Sequence, residues 1–381
     1  MHFIFLRELR ILPFFGTACL AVVQLAFSSS VHAVDKVTDK RNAMKVVYQL
    51  PHQKYVHGLA WSFDGSKLAT LSAFGSLVTI WDAKSGQKLK EMSQYSAAYA
   101  GTAISWTRDG LLLSSAGPKR RDEDIYAMNL WDPATGSLIK KIEGPPLVAG
   151  GQPTNQASMF HVSASGALLA MTTSSANKLV LYDTSNWSIM KTIKIAPVPP
   201  SGTMVFSFAF SPDERSIAVA NGRHLQLIDL KDESIKFSAL TYQQFGIRAG
   251  PVMGSIAFSP DGRSIATAPI FFPSPDEDTG AVRIWSAADG SLVAKLSDDD
   301  AIVPPANNPS ARMVDWSPDG TRLAVARVSN IDQVWEFGND VSQSKIIFSR
   351  RVGPAGLVAF AQDGTLAVGD GTSVLILKSD H

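Results

Sequence analysis

The stretches SFAFSPDERSIAVA (207–220), SIAFSPDGRSIATA (255–268) and MVDWSPDGTRLAVA (313–326) read almost alike. In each stretch, apolar residues alternating with small ones lead into a Ser-Pro-Asp turn, and a second apolar run follows. Pro fixes φ at such a turn and Gly permits a positive φ, so the pattern predicts two strands joined by a tight turn. Copies of one such unit along a chain indicate a repeat architecture.

Four looser copies complete the series: LAWSFDGSKLATL (59–71), ISWTRDGLLLSSA (104–116), FHVSASGALLAMT (160–172) and VAFAQDGTLAVGD (358–370). Aligned on the turn residue, from Gly65 to Gly364, the seven copies recur about every 50 residues. A third apolar stretch follows each copy, as in VTIWD (78–82), and most copies add a polar turn and a fourth stretch, as in SGQKLKEM (85–92).

Seven units of four strands predict an all-β fold, a seven-bladed β-propeller with four antiparallel strands per blade. The last unit ends after its third strand, near Lys378, whereas MKVVYQL (44–50) precedes the first unit without a partner. We therefore expect the N-terminal strand to close the last blade and to cover its open edge.

The units resemble WD40 repeats. Trp81-Asp82 and Trp131-Asp132 match the dipeptide of that family, and Ser259-Pro260-Asp261-Gly262 matches its first turn. The resemblance covers about residues 44–378 and implies the propeller fold. Periplasmic propellers similar to the TolB group carry the same turn, so a relation to them stays open.

The chain departs from the WD40 pattern at two places. The family commonly has an Asp six residues before the Trp, bonded to a Gly-His pair, and here Gly75, Ile125 and Thr279 occupy that position. His57-Gly58 has the reverse order and stands close to Trp61. The sequence therefore predicts that the hydrogen-bonded tetrad of the family is incomplete.

The first 33 residues have the organisation of a signal peptide. A short basic region is followed by an uncharged run over 11–27 and by Val31-His32-Ala33, where small residues predict cleavage after Ala33. This predicts a periplasmic or secreted protein with a signal peptide (1–33), a linker (34–43) and a propeller domain (44–381). An uncleaved anchor remains the alternative, since the apolar run is near the lower limit for a membrane span. A lipoprotein is not expected, because Gly16 stands where a lipobox before Cys19 needs a Leu-like residue.

The charge balance excludes some partners. The chain has 35 Lys and Arg and 34 Asp and Glu, and removing Arg7, Arg10 and Glu8 with the signal segment leaves 33 of each. We therefore expect neither nucleic acid nor an anionic membrane as a partner. No second apolar run is long enough to span a bilayer, so no membrane integration is expected after cleavage. Without Cys19 the mature chain has no cysteine, so disulfides and thiolate metal sites are excluded. We expect no cofactor or metal and a monomer.

Loop lengths point to one face as a binding surface. First-to-second and third-to-fourth turns share one face of a propeller, and these are short. The other face carries the long segments 117–127, 143–158, 240–251, 268–280 and 297–311. Long loops on a rigid scaffold concentrate binding residues. The candidate binding residues are Arg120, Arg121, Asp124, Tyr126, Tyr242, Phe245, Arg248, Phe271, Phe272, Asp276 and Asp278.

Plainer interpretations of these loops remain open. The charges around Arg120 and Asp124 also fit a self-paired, solvated loop tip. Asp276 and Asp278 lack the spacing of a known calcium loop, so a charged surface explains them as well. Phe271 and Phe272 either pack onto the blades or form an apolar contact patch.

The sequence favours a binding protein over an enzyme. It contains no HExxH, GxSxG, P-loop or dinucleotide motif, and its histidines lack metal-ligand spacing. We expect a non-catalytic module that binds a protein or peptide, the partner being another exported or envelope protein. The alternative is a propeller enzyme, or a small-ligand or metal-binding protein, with a site at the central channel assembled from distant residues. Arg248, Arg312 and Arg327 are candidates to approach the channel or rim.

Overall fold

The computed structural model describes twelve ranges of the chain: 43–73, 76–94, 103–116, 127–143, 160–172, 178–196, 205–241, 252–270, 282–296, 311–327, 331–338 and 340–379. Within them the chain forms seven four-stranded antiparallel sheets, which confirms the predicted seven-bladed propeller. Residues 41–381 group into one compact unit. The predicted signal segment, 1–33, lies outside the described ranges and stays a prediction. No helix in the described ranges has the length and apolar character needed to cross a bilayer.

The strands follow one another blade by blade, after β1 (Met44–Pro51). Blade 1 contains β2 (Val56–Trp61), β3 (Lys67–Ser72), β4 (Leu77–Asp82) and β5 (Lys88–Ser93). Blade 2 contains β6 (Ile104–Trp106), β7 (Leu112–Ala116), β8 (Ala127–Asp132) and β9 (Ser137–Glu143). Blade 3 contains β10 (Phe160–Val162), β11 (Leu168–Thr172), β12 (Lys178–Asp183) and β13 (Ser188–Lys194). Blade 4 contains β14 (Val205–Phe210), β15 (Ser216–Asn221), β16 (His224–Asp229) and β17 (Ile235–Leu240).

The remaining blades have the same order. Blade 5 contains β18 (Val252–Phe258), β19 (Ser264–Ile270), β20 (Val282–Ser286) and β21 (Leu292–Leu296). Blade 6 contains β22 (Ala311–Trp316), β23 (Arg322–Arg327), β24 (Ile331–Phe337) and β25 (Ser344–Arg351). Blade 7 contains β26 (Val358–Phe360), β27 (Leu366–Asp370) and β28 (Ser373–Ser379), and its fourth strand is β1.

The N-terminal strand closes the ring, as predicted. β1 pairs antiparallel with β28, from Met44 opposite Ser379 to Pro51 opposite Ser373. Met44 and Leu50 are both about 2% exposed, so the strand is anchored by burial as well as by its backbone hydrogen bonds.

Position within the blade explains the apolar patterns. The first strand of each blade contacts the first strands of both neighbouring blades, so these seven strands surround the axis. Second and third strands are buried on both faces, which is why LVTIWD in β4 reads as a nearly continuous apolar run. Fourth strands form the outer edge, and in β5 most side chains are exposed.

The Ser-Pro-Asp-Gly turn is held by its own side chains. In blade 5, Ser259 Oγ donates to Asp261 Oδ1 (2.6 Å), and the same carboxylate accepts the Arg263 N–H (3.0 Å). Gly262 adopts the left-handed conformation, with φ of 71°. In blade 4 Glu214 takes that position with φ of 56°, and its carboxylate accepts hydrogen bonds from Ser165 in the neighbouring turn of blade 3. That contact offsets the strain of a left-handed non-glycine residue.

Side chains of three outer strands form hydrogen bonds to the neighbouring blades. At one register position, Tyr48, Lys140 and Lys191 each reach the third-to-fourth turn of the next blade. The Tyr48 hydroxyl donates to the Lys84 carbonyl, and Lys191 Nζ donates to the Leu230 carbonyl (2.9 Å). Lys140 Nζ donates to the Asn186 carbonyl (3.4 Å). The blades are therefore joined at the rim as well as around the axis.

Closure by β1 predicts that two substitutions in this strand differ in effect. Leu50→Ala should lower the free energy of unfolding by about 2–4 kcal/mol, because it opens a cavity between blades 7 and 1. Val47→Ala, at a side chain that is 42% exposed, should change it by less than about 0.5 kcal/mol. Denaturant unfolding followed by tryptophan fluorescence measures both, and equal effects would contradict closure through this strand.

Candidate functional site

The two faces of the propeller differ in the segments that join their strands. All seven first-to-second turns contain five residues, as in 62–66 and 259–263, and the third-to-fourth turns contain four to six. On the opposite face the second-to-third and between-blade segments range from two residues (371–372) to sixteen (144–159). We call these surfaces the short-loop face and the long-loop face. Trp187, with φ of 64°, lies in a turn of the short-loop face.

The predicted binding residues belong to three segments of the long-loop face. Arg120, Arg121, Asp124 and Tyr126 fall in 117–126, Tyr242, Phe245 and Arg248 in 242–251, and Phe271, Phe272, Asp276 and Asp278 in 271–281. All three segments lie outside the described residues, so these assignments stay predictions. Within the described ranges, this end of the blades carries polar side chains that hydrogen-bond to one another.

In blade 1 these polar side chains form a chain of hydrogen bonds. Trp81 Nε1 donates to Thr70 Oγ1 (3.1 Å), and His52 Nε2 lies 2.8 Å from the same hydroxyl. His52 Nδ1 lies 3.0 Å from the Leu50 carbonyl. Burial lowers the pKa of His52, so its ring is neutral near pH 7, which fits Nδ1 as donor to Leu50 and Nε2 as acceptor from Thr70.

The histidine of this chain of hydrogen bonds is His52, which the sequence analysis did not consider, and not His57 of the reversed His57-Gly58 pair. His52 links the segment before β2 to the Trp through Thr70. The family's Asp position is Gly75, so three members of the tetrad are present and the predicted incompleteness holds. Pro51, in place of the family's Gly, obscured His52 in the sequence.

Blade 2 contains an amide version of the same arrangement. Gln94 follows the buried Met92 by two residues, as His52 follows Leu50. Trp131 Nε1 donates to Ser114 Oγ (2.9 Å), and Ser114 Oγ donates to Gln94 Oε1 (2.6 Å). The hydroxyl that accepts from the Trp is therefore common to both blades, and the third member varies.

The hydroxyl occupies a fixed register position, two residues after the residue paired with the Trp. Blade 5 has it, since Trp285 Nε1 donates to Thr267 Oγ1 (2.9 Å). Blade 6 has Val325 there, and within the described residues the buried Trp335 Nε1 has no hydrogen-bond partner. In blade 3 Tyr182 takes the place of the Trp and pairs with Leu169, and Met171 occupies the position of the hydroxyl. Among the described residues the Tyr182 hydroxyl has no hydrogen-bond partner, and burial raises its pKa to about 12.

Blade 6 also buries a carboxyl group at the edge of the long-loop face. Asp332 stands three residues before Trp335, where the other six blades have buried apolar residues: Val78, Met128, Leu179, Leu225, Val282 and Val374. Asp332 Oδ1 accepts the Arg327 N–H (3.0 Å), whereas Oδ2 is buried and has no hydrogen-bond partner within the described residues. Burial, with Asp370 adding to it and Arg327 opposing it, raises the pKa of Asp332 to about 8. At neutral pH this group is therefore protonated.

The first strands, which surround the axis, carry mostly small residues near their ends. The next-to-last positions of the first strands are Ala60, Ser105, His161, Ala209, Ala257, Asp315 and Ala359. Asp315 Oδ2 accepts the Phe360 N–H of the next blade (2.7 Å), and burial raises the pKa of this carboxyl to about 7. His161 is exposed at its surface, and desolvation by the surrounding protein atoms lowers its pKa.

Three arginines were candidates to approach the channel or rim, and Arg248 lies outside the described residues. Arg312 and Arg327 have different environments. Arg312 is exposed on the first strand β22, with its side chain against Gly356. Arg327 is 2% exposed on the second strand β23, and its Nε donates to Gln333 Oε1 (2.9 Å), so it lies within the blade. The part of the chain that the structure describes contains no group of three or more His, Cys, Asp or Glu residues arranged to hold a metal ion.

The family comparison agrees with this geometry. A family model described as WD domain, G-beta repeat, matches residues 44–82. The matched segment runs from β1 to the end of β4, so one sequence repeat combines the outer strand of one blade with the first three strands of the next. None of the curated proteins matches the chain. The protein is thus a seven-bladed propeller in which the segment 44–82 matches the model of a WD40 repeat.

Exchanging Thr and Val tests whether the hydroxyl beside the Trp stabilises the blade. Thr70→Val should lower the free energy of unfolding by about 1–3 kcal/mol, because Trp81 Nε1 and His52 Nε2 lose their shared partner. Val325→Thr should cost less than Val219→Thr, since only the former places its hydroxyl beside an unpartnered indole N–H. Denaturant unfolding measures all three variants, and equal costs at positions 325 and 219 would contradict the pairing rule.

The buried Asp332 predicts a stability that depends on pH. Its pKa is raised in the folded state, so folding favours the protonated form, and the stability from this residue is lost as pH rises from about 4 to about 8. Asp332→Asn keeps an acceptor for the Arg327 N–H and does not titrate. Its Tm relative to the natural chain should therefore rise by at least about 2 °C between about pH 5 and about pH 8. A difference independent of pH would show that Asp332 ionises normally.

Proposed function

We propose that this protein is an exported, non-catalytic β-propeller that binds a protein or peptide of the cell envelope through its long-loop face, as a monomer. The observation that carries the proposal is the contrast between the faces. Five-residue turns recur in every blade on one face. The other face has seven connections of ten residues or more: 94–103, 117–126, 144–159, 195–204, 241–251, 271–281 and 297–310. A rigid ring that carries variable segments on one side is a common design for recognition.

The surroundings of the loops support this reading. WD40 propellers commonly serve as protein-interaction scaffolds, and the matched repeat at 44–82 connects this chain to them. At the long-loop end of the blades, His52, Gln94 and their hydroxyl partners fix the ends of the central strands by side-chain hydrogen bonds. Loops that start from fixed strand ends lose less entropy on binding. The signal-like segment 1–33 supports export.

A second candidate function is binding of a small ligand in the channel. It is favoured by His161 and Asp315, the two ionisable residues at the next-to-last positions of the first strands. A neutral imidazole and a carboxyl with a pKa near 7 are suited to hydrogen bonding or proton transfer. The Asp315 carboxyl already serves a structural role, because it satisfies the open Phe360 N–H, and the remaining positions of this ring are Ala or Ser. We therefore rank this candidate below the loop face.

The proposal predicts which truncations abolish partner binding. Replacing 117–126 and 271–281 by short Gly-Ser links should abolish capture of the partner from the envelope fraction of the exporting cell, because the contact residues are removed. The matched control shortens 338–343 on the short-loop face and should capture the same partner. Affinity capture followed by mass spectrometry measures both, with circular dichroism to confirm folding. Unchanged capture by the folded loop variant would overturn the choice of face.

A further inference from the structure

Between blades 7 and 1, the described part of the long-loop face contains an exposed aromatic residue. Tyr55, in the segment between β1 and β2, is 50% exposed. The other large apolar side chains that are exposed in the described residues lie on the outer strands of blades. Among the described residues, Tyr55 is therefore the one exposed large apolar side chain that lies in a connecting segment, and this segment belongs to the face that we propose for binding.

Tyr55 belongs to a compact junction of three connecting segments. A Cβ on Gly371 would lie 3.7 Å from Tyr55 Cε1 and 3.8 Å from both Pro354 Cδ and Gly353 Cα. The Gly353 N–H donates to Asp370 Oδ1, which ties the segment after β25 to the end of β27. The Tyr55 ring thus rests on fixed backbone, which lowers the entropy lost when a partner packs against it.

Cationic side chains border this junction. Lys54 precedes Tyr55, and Arg350 and Arg351 end β25 just before Gly353. All three are exposed, and within the described ranges none of their side chains forms an ion pair or a hydrogen bond. Elsewhere on the propeller exposed lysines do find partners, as Lys88 does with Glu91 (3.0 Å) and Lys345 with Glu336 (2.8 Å).

The carboxyl groups nearest to these cations do not cancel their charge. Asp332 is directly opposite Arg350 in the β24–β25 pairing, but burial raises its pKa to about 8 and keeps it neutral at pH 7. Asp370 is the remaining carboxylate of the junction, and it is bonded to the Gly353 N–H. One carboxylate against three exposed cations leaves a positive surface.

We propose that Lys54, Tyr55 and Arg350, with Arg351 at their border, form a docking surface for an acidic segment of the partner protein. The carboxylates of that segment pair with the Arg and Lys side chains, and an apolar residue of the segment packs on Tyr55. Tyr and Arg are the residue types that most often dominate binding energy at interfaces. This inference rests on the proposed function, because it names the chemistry of the partner that the long-loop face binds.

The test measures fluorescence anisotropy of a labelled Glu-rich peptide with a single Leu, titrated with the full chain. The probe should bind more weakly as salt increases, and its counterpart with Gln in place of Glu should bind at least about tenfold more weakly. Lys54→Ala/Arg350→Ala should weaken binding of the Glu-rich peptide about tenfold, and Tyr55→Ala about fivefold. The matched control Lys84→Ala/Arg215→Ala removes two exposed charges from the short-loop face and should change binding by less than about twofold.

Three results would overturn the inference: equal binding of the Glu and Gln peptides, equal losses in the Lys84/Arg215 control, or tighter binding of phosphatidylglycerol vesicles than of the peptide through these same residues. Capture of the cellular partner separates this failure from failure of the proposed function. Suppose that trimming 117–126 and 271–281 abolishes capture while Lys54→Ala/Arg350→Ala leaves it intact. The partner then binds the long-loop face, but it does not dock an acidic segment on Tyr55 and its neighbouring cations. If neither change affects capture, the face itself is wrong.

Discussion

Each blade of this propeller has two open strand edges, and the need to satisfy the backbone groups along them constrains the whole structure. At the inner edges, side chains of neighbouring blades supply the missing partners. Trp61 Nε1 donates to the Ala359 carbonyl (2.9 Å) and Trp106 Nε1 to the Ala60 carbonyl (2.9 Å). Asp315 accepts the Phe360 N–H. The ring is thus held together around the axis by hydrogen bonds between blades as well as by apolar packing.

Connectivity satisfies the same constraint at the rim. The outer strand of blade 7 is β1, so the two ends of the folded chain are joined by a full strand pairing, and the matched repeat at 44–82 spans two blades. The matched segment contains the outer strand of blade 7 and the first three strands of blade 1, so the chain itself connects these two blades. Because the turns on the short-loop face also interlock, as Glu214 does with Ser165, that face has little freedom to vary. Variation in length therefore accumulates on the long-loop face.

The polar side chains at the long-loop end of the blades show how the repeats have diverged. The Trp–hydroxyl bond is present in blades 1, 2 and 5, but Val325 leaves Trp335 without it in blade 6. Blade 6 also carries Asp332 at a position that is apolar in the other six blades, and this buried carboxyl stays protonated at neutral pH. A neutral Asp332 leaves Arg350, which is opposite it, free to act as a cation on the surface. Blade 6 thus combines unsatisfied buried groups with the edge of the proposed docking surface.

Local sequence patterns alone predict the strands, the turns, the seven-fold repetition and closure by the N-terminal strand. These features depend on local alternation and on turn chemistry, such as Pro260 and Gly262 in one blade, which recur at a readable interval. The sequence also singled out the long-loop face, since loop length is a local property too. Tertiary structure alone decided which side chains meet between blades and across segments: His52 with Thr70, Asp315 with Phe360, and Tyr55 with Pro354. Those contacts join residues that are distant along the chain or differently aligned in each repeat. The near balance of 35 Lys and Arg against 34 Asp and Glu also gave no indication of the exposed cations Lys54 and Arg350. The ring brings distant side chains such as Asp315 and Phe360 together and buries others such as Asp332. Burial and neighbouring charges then set the pKa of each buried carboxyl group.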